Sequence, residues 1–174
     1  RISDFSREKG FETLAPIKKV FQQKVGAIHL IGLLSDGGVH SDIDHLFGLI
    51  DAVVRSNVKR NIFIHVITDG RDTPPQSGQG YIQKLEDKIK GHANIKIATV
   101  LGRYFAMDRD KRWERVEKAY HFMTESHGPC YISASEAIKE AYKKGETDEF
   151  VEPRQICKTG RISSQDQVIF YNFR

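Results

Sequence analysis

Apolar residues along this chain alternate between two rhythms. Runs 27–34, 62–67 and 95–101 are almost wholly apolar and of strand length, as expected for parallel strands covered on both faces. Between them, apolar positions recur at helical spacing: Ile43, Leu46, Phe47, Ile50 and Val54 after the first run, Tyr81, Ile82, Leu85 and Ile89 after the second. The spacing predicts helices over 43–54 and 77–90. Phe11, Leu14, Ile17, Val20 and Phe21 predict an opening helix within residues 1–26, and Trp113, Val116, Tyr120 and Met123 a long helix that turns all four side chains to the core. Ser133 with Glu136 three residues on is a capping box for a helix over 134–143, following the connector Gly128-Pro129-Cys130 and ended by Gly145. The stretch 146–153 is acidic and turn-rich, and 167–173 has the β-branched and aromatic character of a last strand.

Strands alternating with helices define the expected fold class: α/β, three-layer α/β/α, with a mostly parallel sheet and right-handed crossovers, in a single domain. Ligands of such sheets sit beyond the carboxyl ends of the strands, so the polar loops after each run carry the candidate chemistry. After the first run come Ser35, Asp36, Gly37, Gly38 and His40, where the glycines allow positive φ and close backbone approach and Ser41 with Asp44 is a candidate capping pair. The second run empties into Asp69-Gly70-Arg71-Asp72-Thr73-Pro74-Pro75, which the prolines keep from continuing as strand or helix. The third exits through Gly102-Arg103-Tyr104-Phe105-Ala106-Met107-Asp108-Arg109, and a parallel last strand delivers Arg174 to the same edge.

Under that topology His40, Arg71, Asp72, Arg103, Arg109 and Arg174 surround one crevice: four arginines beside one carboxylate and one imidazole. Guanidinium groups match carboxylate and phosphate oxygens with paired donors, so the crevice suits a small polyanion, with Asp72 placed to orient a substrate hydroxyl or take its proton. Taken singly, each loop reads as an ordinary turn with surface ion pairs; three such loops at successive strand ends favour a site. His40 and His45 do not share a helical face and have no companion ligands, so no metal site is expected, and His65 reads as a satisfied core histidine.

The 174 residues suit one domain with a real core. Twenty-seven basic and 23 acidic residues leave +4, but the signs are interspersed, with no basic stripe for nucleic acid. No apolar run approaches the roughly 20 residues that cross a bilayer, no signal-peptide pattern opens the chain, and two distant cysteines indicate no disulfide framework, so a cytoplasmic setting is expected. No Gly-x-Gly-x-x-Gly or Walker string follows any strand. Without an initiating methionine, and stopping directly after a strand-like run, the sequence reads as part of something longer.

The strings Leu-Leu-Ser-Asp-Gly-Gly-Val-His-Ser, Asp-Gly-Arg-Asp-Thr-Pro-Pro, Gly-Arg-Tyr-Phe-Ala-Met-Asp-Arg-Asp-Lys-Arg-Trp and Gly-Glu-Thr-Asp-Glu-Phe, in this order over most of the chain, resemble cofactor-independent phosphoglycerate mutase. The resemblance implies residues 1–174 are the inserted, substrate-binding domain of a two-domain enzyme of the alkaline-phosphatase superfamily. It further implies interconversion of 3-phosphoglycerate and 2-phosphoglycerate in glycolysis and gluconeogenesis. The other domain, absent here, would carry two divalent metals, usually manganese, and the serine that accepts the phosphoryl group; no motif for either occurs in this chain, so no cofactor is expected in it. His40, Arg71, Asp72, Arg103, Arg109 and Arg174 match substrate-binding positions, with Asp72 the proton acceptor and donor. The fragment is expected to be inactive alone and monomeric. The alternative is a non-catalytic α/β module binding a phosphorylated metabolite or a protein partner.

Overall fold

Three strands form where the apolar runs predict them: β1 (Ile28–Leu33), β2 (Ile62–Thr68) and β3 (Ile95–Gly102), every residue buried except Lys96. The structure, a computed structural model, describes residues 2–125 and 130–174. β1 pairs with β2, and β2 with β3, all parallel. A two-residue β4 (Arg154–Gln155) lies antiparallel on β3, and β5 (Gln167–Phe170) parallel on β1, giving the order β4-β3-β2-β1-β5. Among the described residues the helices are α1 (Ile2–Glu8), α2 (Ala15–Gln22), α3 (Ile43–Arg55), α4 (Gly78–Ile89), α5 (Arg103–Ala106), α6 (Trp113–Thr124) and α7 (Ala134–Lys143).

Alternate strand residues point to opposite faces, and each face has its own core. Leu30, Ile64 and Val66 pack with Leu46, Ile50, Ile82 and Ile138 on one side. Ile31, Leu33, Ile67 and Leu101 pack with Phe105, Ala119 and Met123 on the other. The chain is therefore the expected three-layer α/β/α unit.

Several local expectations change. The opening helix is broken into α1, a 3-10 turn at Phe11–Thr13 and α2, because Gly10 adopts φ 76° and Pro16 begins a new helix. Ser41 does not cap α3. Its buried hydroxyl donates to the Leu33 carbonyl at 2.5 Å, satisfying the end of β1, and Asp42 caps instead by accepting from the Asp44 amide at 2.9 Å. The stripe expected to bury Trp113 is rotated. Trp113 is 72% and Tyr120 63% exposed, Val116 lies at the margin, and Ala119 with Met123 faces the sheet. The rotation follows from Arg115, whose guanidinium stacks 3.8 Å over the Tyr104 ring and holds α6 to α5 by that flank.

The capping box of α7 forms as read: Ser133 accepts from the Glu136 amide at 3.1 Å, while Glu136 reaches the Ile132 amide at 2.9 Å. Gly145, at φ 82°, ends that helix. Of the connector before it, Gly128 and Pro129 lie outside the described residues. β4 was not legible in the turn-rich 146–153 stretch that precedes it, and β5 stops at Phe170 rather than 173. No helix of the described residues is long and apolar enough to cross a membrane.

His65 is, as expected, a satisfied core residue, and it belongs to a chain of four groups. His29 Nε2 lies 3.2 Å from Asp166, His29 Nδ1 lies 2.9 Å from His65 Nε2, and His65 Nδ1 lies 2.9 Å from the Thr99 hydroxyl. The Asp166 carboxylate requires a proton on His29 Nε2, so His29 Nδ1 accepts from His65 and His65 accepts from Thr99; both rings are neutral in this pattern. Burial, then the neighbouring His29, pushes the His65 imidazole down to about 3. Burial also lowers His29, against the pull of Asp166. Because the unfolded chain binds protons here that the folded chain refuses, the contribution of this chain of groups is full above the ordinary histidine value of 6.5 and falls progressively toward pH 3. Replacing His65 with glutamine is expected to flatten the dependence of unfolding midpoint on pH across that window. An unchanged slope in pH-resolved thermal melts would contradict this.

Candidate functional site

The carboxyl ends of β1, β2, β3 and β5 open on one edge of the sheet, and the sequence explains how each loop fits there. After β1, Gly38 takes φ 67°, while Gly37 is needed for closeness and not for φ: a Cβ on it would lie 2.9 Å from Asp72 Cβ. The first loop is thus pressed onto the second. After β2, the Asp69 carboxylate accepts from the Arg71 and Asp72 amides at 3.1 and 3.0 Å and shapes the turn that carries both residues. After β3, Arg103 is the first residue of α5. Beyond β5, the Tyr171 amide donates to Ile31 O (3.0 Å), the Leu33 amide to Asn172 Oδ1 (2.9 Å) and the Phe173 amide to His40 O (2.9 Å), leading Arg174 alongside β1 to the same edge.

All six residues selected from the sequence, His40, Arg71, Asp72, Arg103, Arg109 and Arg174, line one cavity of about 630 Å³ at this edge. The expectation of a lone carboxylate is corrected. Arg103 Nη1 is shared between Asp69 Oδ1 at 2.8 Å and Asp72 Oδ2 at 2.7 Å. Arg71 is paired to Glu149 at 3.3 Å, and a fifth lining arginine, Arg115, is paired to buried Asp108 at 3.1 Å. His40 Nε2 stands 3.9 Å from Asp72 Oδ2. Arg109 and Arg174 have no carboxylate partner among the described residues. The cavity therefore presents two unneutralised guanidinium groups and three that are already held in place, the arrangement expected of a preformed anion site.

Burial by itself would push the Asp69 carboxyl up. Hydrogen bonds from Ser35, the Asp72 amide, Arg103 and the Arg71 amide outweigh it and hold the group below the usual carboxylate range. Burial likewise works against the charge of Arg103, but Asp72 and Asp69 hold it above its ordinary value. Asp148, beneath the wall formed by Glu149 and Phe150, goes the other way: burial raises it despite donors from Tyr142 and the Gly78 amide. Sequence reasoning missed Asp69, Asp108, Arg115 and Glu149. Asp69 had a signal, since it stands at the mouth of β2 ahead of Arg71 and Asp72; Glu149 lies inside the Gly-Glu-Thr-Asp-Glu-Phe string, but nothing local pairs it with Arg71, 78 positions away.

The family model described as the BPG-independent PGAM N-terminus matches residues 3–174. The chain belongs to that family. Among curated BPG-independent phosphoglycerate mutases, the protein of Syntrophotalea carbinolica is 51% identical over all of this chain and 35% of its own length. That of Symbiobacterium thermophilum is 51% identical over 91% of this chain and 31% of its own. The crystal structure of Leishmania mexicana phosphoglycerate mutase at low cobalt concentration matches 99% of the chain with a TM-score of 0.89 at 30% identity, over 34% of that protein. The chain thus spans about a third of the length of the phosphoglycerate mutases it matches.

Proposed function

We propose that this chain is the substrate-binding domain of a cofactor-independent phosphoglycerate mutase that interconverts 3-phosphoglycerate and 2-phosphoglycerate in the glycolytic and gluconeogenic direction. The observation that carries the reading is one cavity at four strand ends, where Arg109 and Arg174 have no carboxylate partner among the described residues and Arg103 is locked beside Asp72. A phosphoglycerate brings a phosphate and a carboxylate joined by a short hydroxylated carbon chain. Arg109 and Arg174 supply paired donors to its anionic oxygens, and Arg71, half-exposed and already held by Glu149, presents its remaining donors beside them. His40 and Arg71 fix the carboxylate end.

Asp72 is the general base and acid of this reading. Asp72 takes the proton from the free glycerate hydroxyl and gives it to the oxygen that the phosphoryl group leaves; the glycerate turns in the cavity, the deprotonated oxygen is rephosphorylated, and Asp72 ends each turnover as it began. Arg103, donating to Asp72 at 2.7 Å, keeps the carboxylate oriented through both steps. The phosphoryl-accepting serine and two divalent metals, manganese by resemblance, are assigned to the second domain, as is membership of the alkaline-phosphatase superfamily. The cavity here does not fit a metal: its Asp72, Asp108 and Glu149 are engaged by arginines, and the described residues hold no group of three or more His, Cys, Asp or Glu side chains suited to an ion. Closure of the second domain over the cavity would exclude water and protect the serine-bound phosphoryl group. The reading includes a cytoplasmic, monomeric enzyme.

Arg71→Ala in the full-length protein tests it. One charge-assisted contact contributes about 1.5–3 kcal/mol, so kcat/KM is expected to fall roughly 10- to 100-fold. Arg71 is half-exposed, so the melting temperature should move little. Unchanged turnover would place Arg71 outside the site, and a full-length protein without phosphoglycerate interconversion would remove the reading altogether.

A further inference from the structure

We infer that Asp69, which does not line the cavity, is a positioning residue that sets the direction of both Arg103 and Asp72 toward the substrate. The inference rests on the mutase reading for its kinetic consequence and on geometry alone for its structural one.

Asp69 is the first residue beyond β2, and its side chain is 1% exposed. Its two oxygens meet four donors from three strand ends. Oδ2 accepts from the Ser35 hydroxyl, beyond β1, at 2.6 Å. Oδ1 accepts from the amides of Arg71 and Asp72 in its own turn and from Arg103 Nη1, beyond β3, at 2.8 Å. A buried carboxylate so satisfied is rigid, since moving it would strand several donors at once.

The consequence for Arg103 is geometric. Nη1 carries two hydrogens; one goes to Asp69 and the other to Asp72. A planar guanidinium fixed through both hydrogens of one terminal nitrogen cannot rotate without breaking two charge-assisted bonds. Among the described residues neither Nε nor Nη2 of Arg103 is engaged, and Arg103 lines the cavity, so the fork is aimed while its remaining donors stay available to an anion. Asp72 is fixed at two points as well: its amide is bound by Asp69 Oδ1 and its carboxylate by the arginine that Asp69 holds. Asp69 thereby couples the backbone position of the proposed base to the direction of its cation without touching substrate.

A carboxylate that merely closes the β2 turn would use only the two amide contacts, and Asn would serve equally well there. Asp69→Asn keeps an acceptor for those amides and removes the charge that binds Arg103. In the full-length enzyme the variant is expected to lower kcat about 30-fold or more while KM for 3-phosphoglycerate changes less than threefold and the melting temperature stays within a few degrees. Ser35→Ala, which removes only the clamp on Oδ2, is expected to lower kcat to a smaller extent. That variant decides the matter if Asp69→Asn does not fold. The companion measurement is the guanidinium NMR spectrum of full-length protein labelled with ¹⁵N-arginine, with Arg103 assigned from its loss in Arg103→Lys. Separate, slowly exchanging Nη protons for Arg103 in the wild type, merged in Asp69→Asn, support the inference whether or not the protein turns over phosphoglycerate. Merged Arg103 signals in the wild type, or kcat within threefold of wild type in Asp69→Asn, overturn it. Absence of turnover in the wild type sinks the mutase reading alone and leaves the Arg103 signals to judge the positioning.

Discussion

Asp72→Asn in the full-length protein is expected to lower phosphoglycerate interconversion by about 10²- to 10⁴-fold, the range that general acid–base catalysis contributes. The substitution is close to isosteric and keeps a carbonyl oxygen for Arg103 Nη1, now bound at 2.7 Å, so the fold and much of the anion site should survive. What asparagine cannot do is take a proton from one glycerate hydroxyl and return it to the other oxygen. The loss should therefore fall on kcat, with KM for 3-phosphoglycerate moved by less than an order of magnitude. Steady-state kinetics in both directions would check it. Equal losses in KM and none in kcat would make Asp72 a binding group and move the proton transfer to another residue, His40 at 3.9 Å from it being the next in line.

The second large effect concerns stability and comes from a place remote from the chemistry. Arg154 and Glu146 form a two-pronged ion pair, both contacts 2.7 Å, with the arginine side chain 5% and the glutamate 17% exposed. Burial alone would raise Glu146, but Arg154 and the Glu152 amide hold it below the usual range; Arg154, likewise, is held up by Glu146 against burial. Removing one partner strands the other charge out of water, at a cost of about 3 kcal/mol. Arg154→Ala is accordingly expected to lower the melting temperature by roughly 6–12 °C. Adding Glu146→Gln to it should recover a large part of that loss, because no uncompensated charge is then buried. A shift below about 2 °C in the single variant would show the pair to be energetically idle. The same pair frames the segment from Glu146 to Arg154, which supplies Glu149 and Phe150 to one wall of the cavity, so activity should decline along with stability.

That wall separates what local pattern reveals from what it conceals. Strands β1, β2 and β3 were legible because each is a nearly unbroken apolar run, the mark of a parallel strand sandwiched between layers. From those runs and the right-handed crossover rule, the shared edge followed, and with it the meeting of His40, Arg71, Asp72, Arg103, Arg109 and Arg174 in one cavity. Capping of α7 by Ser133 was equally local, involving atoms three positions apart. The α6 stripe misled because helical spacing alone states only that Trp113, Val116, Tyr120 and Met123 neighbour one another. Which flank meets the sheet was decided by Arg115 stacking on Tyr104 and by the room that Ala119 leaves at the contact.

By itself, then, the sequence determined the elements, their order and the edge on which the cationic loops converge, because hydrophobic periodicity and chain connectivity act over a few residues at a time. Only the tertiary structure decided how that charge is arranged: Glu149 against Arg71, Asp108 against Arg115, and Asp69 with Asp72 dividing one nitrogen of Arg103. Those pairings join residues 7 to 78 positions apart. Their energy depends on distances of about 3 Å and on exclusion of water, quantities that exist only once the strands have been laid side by side.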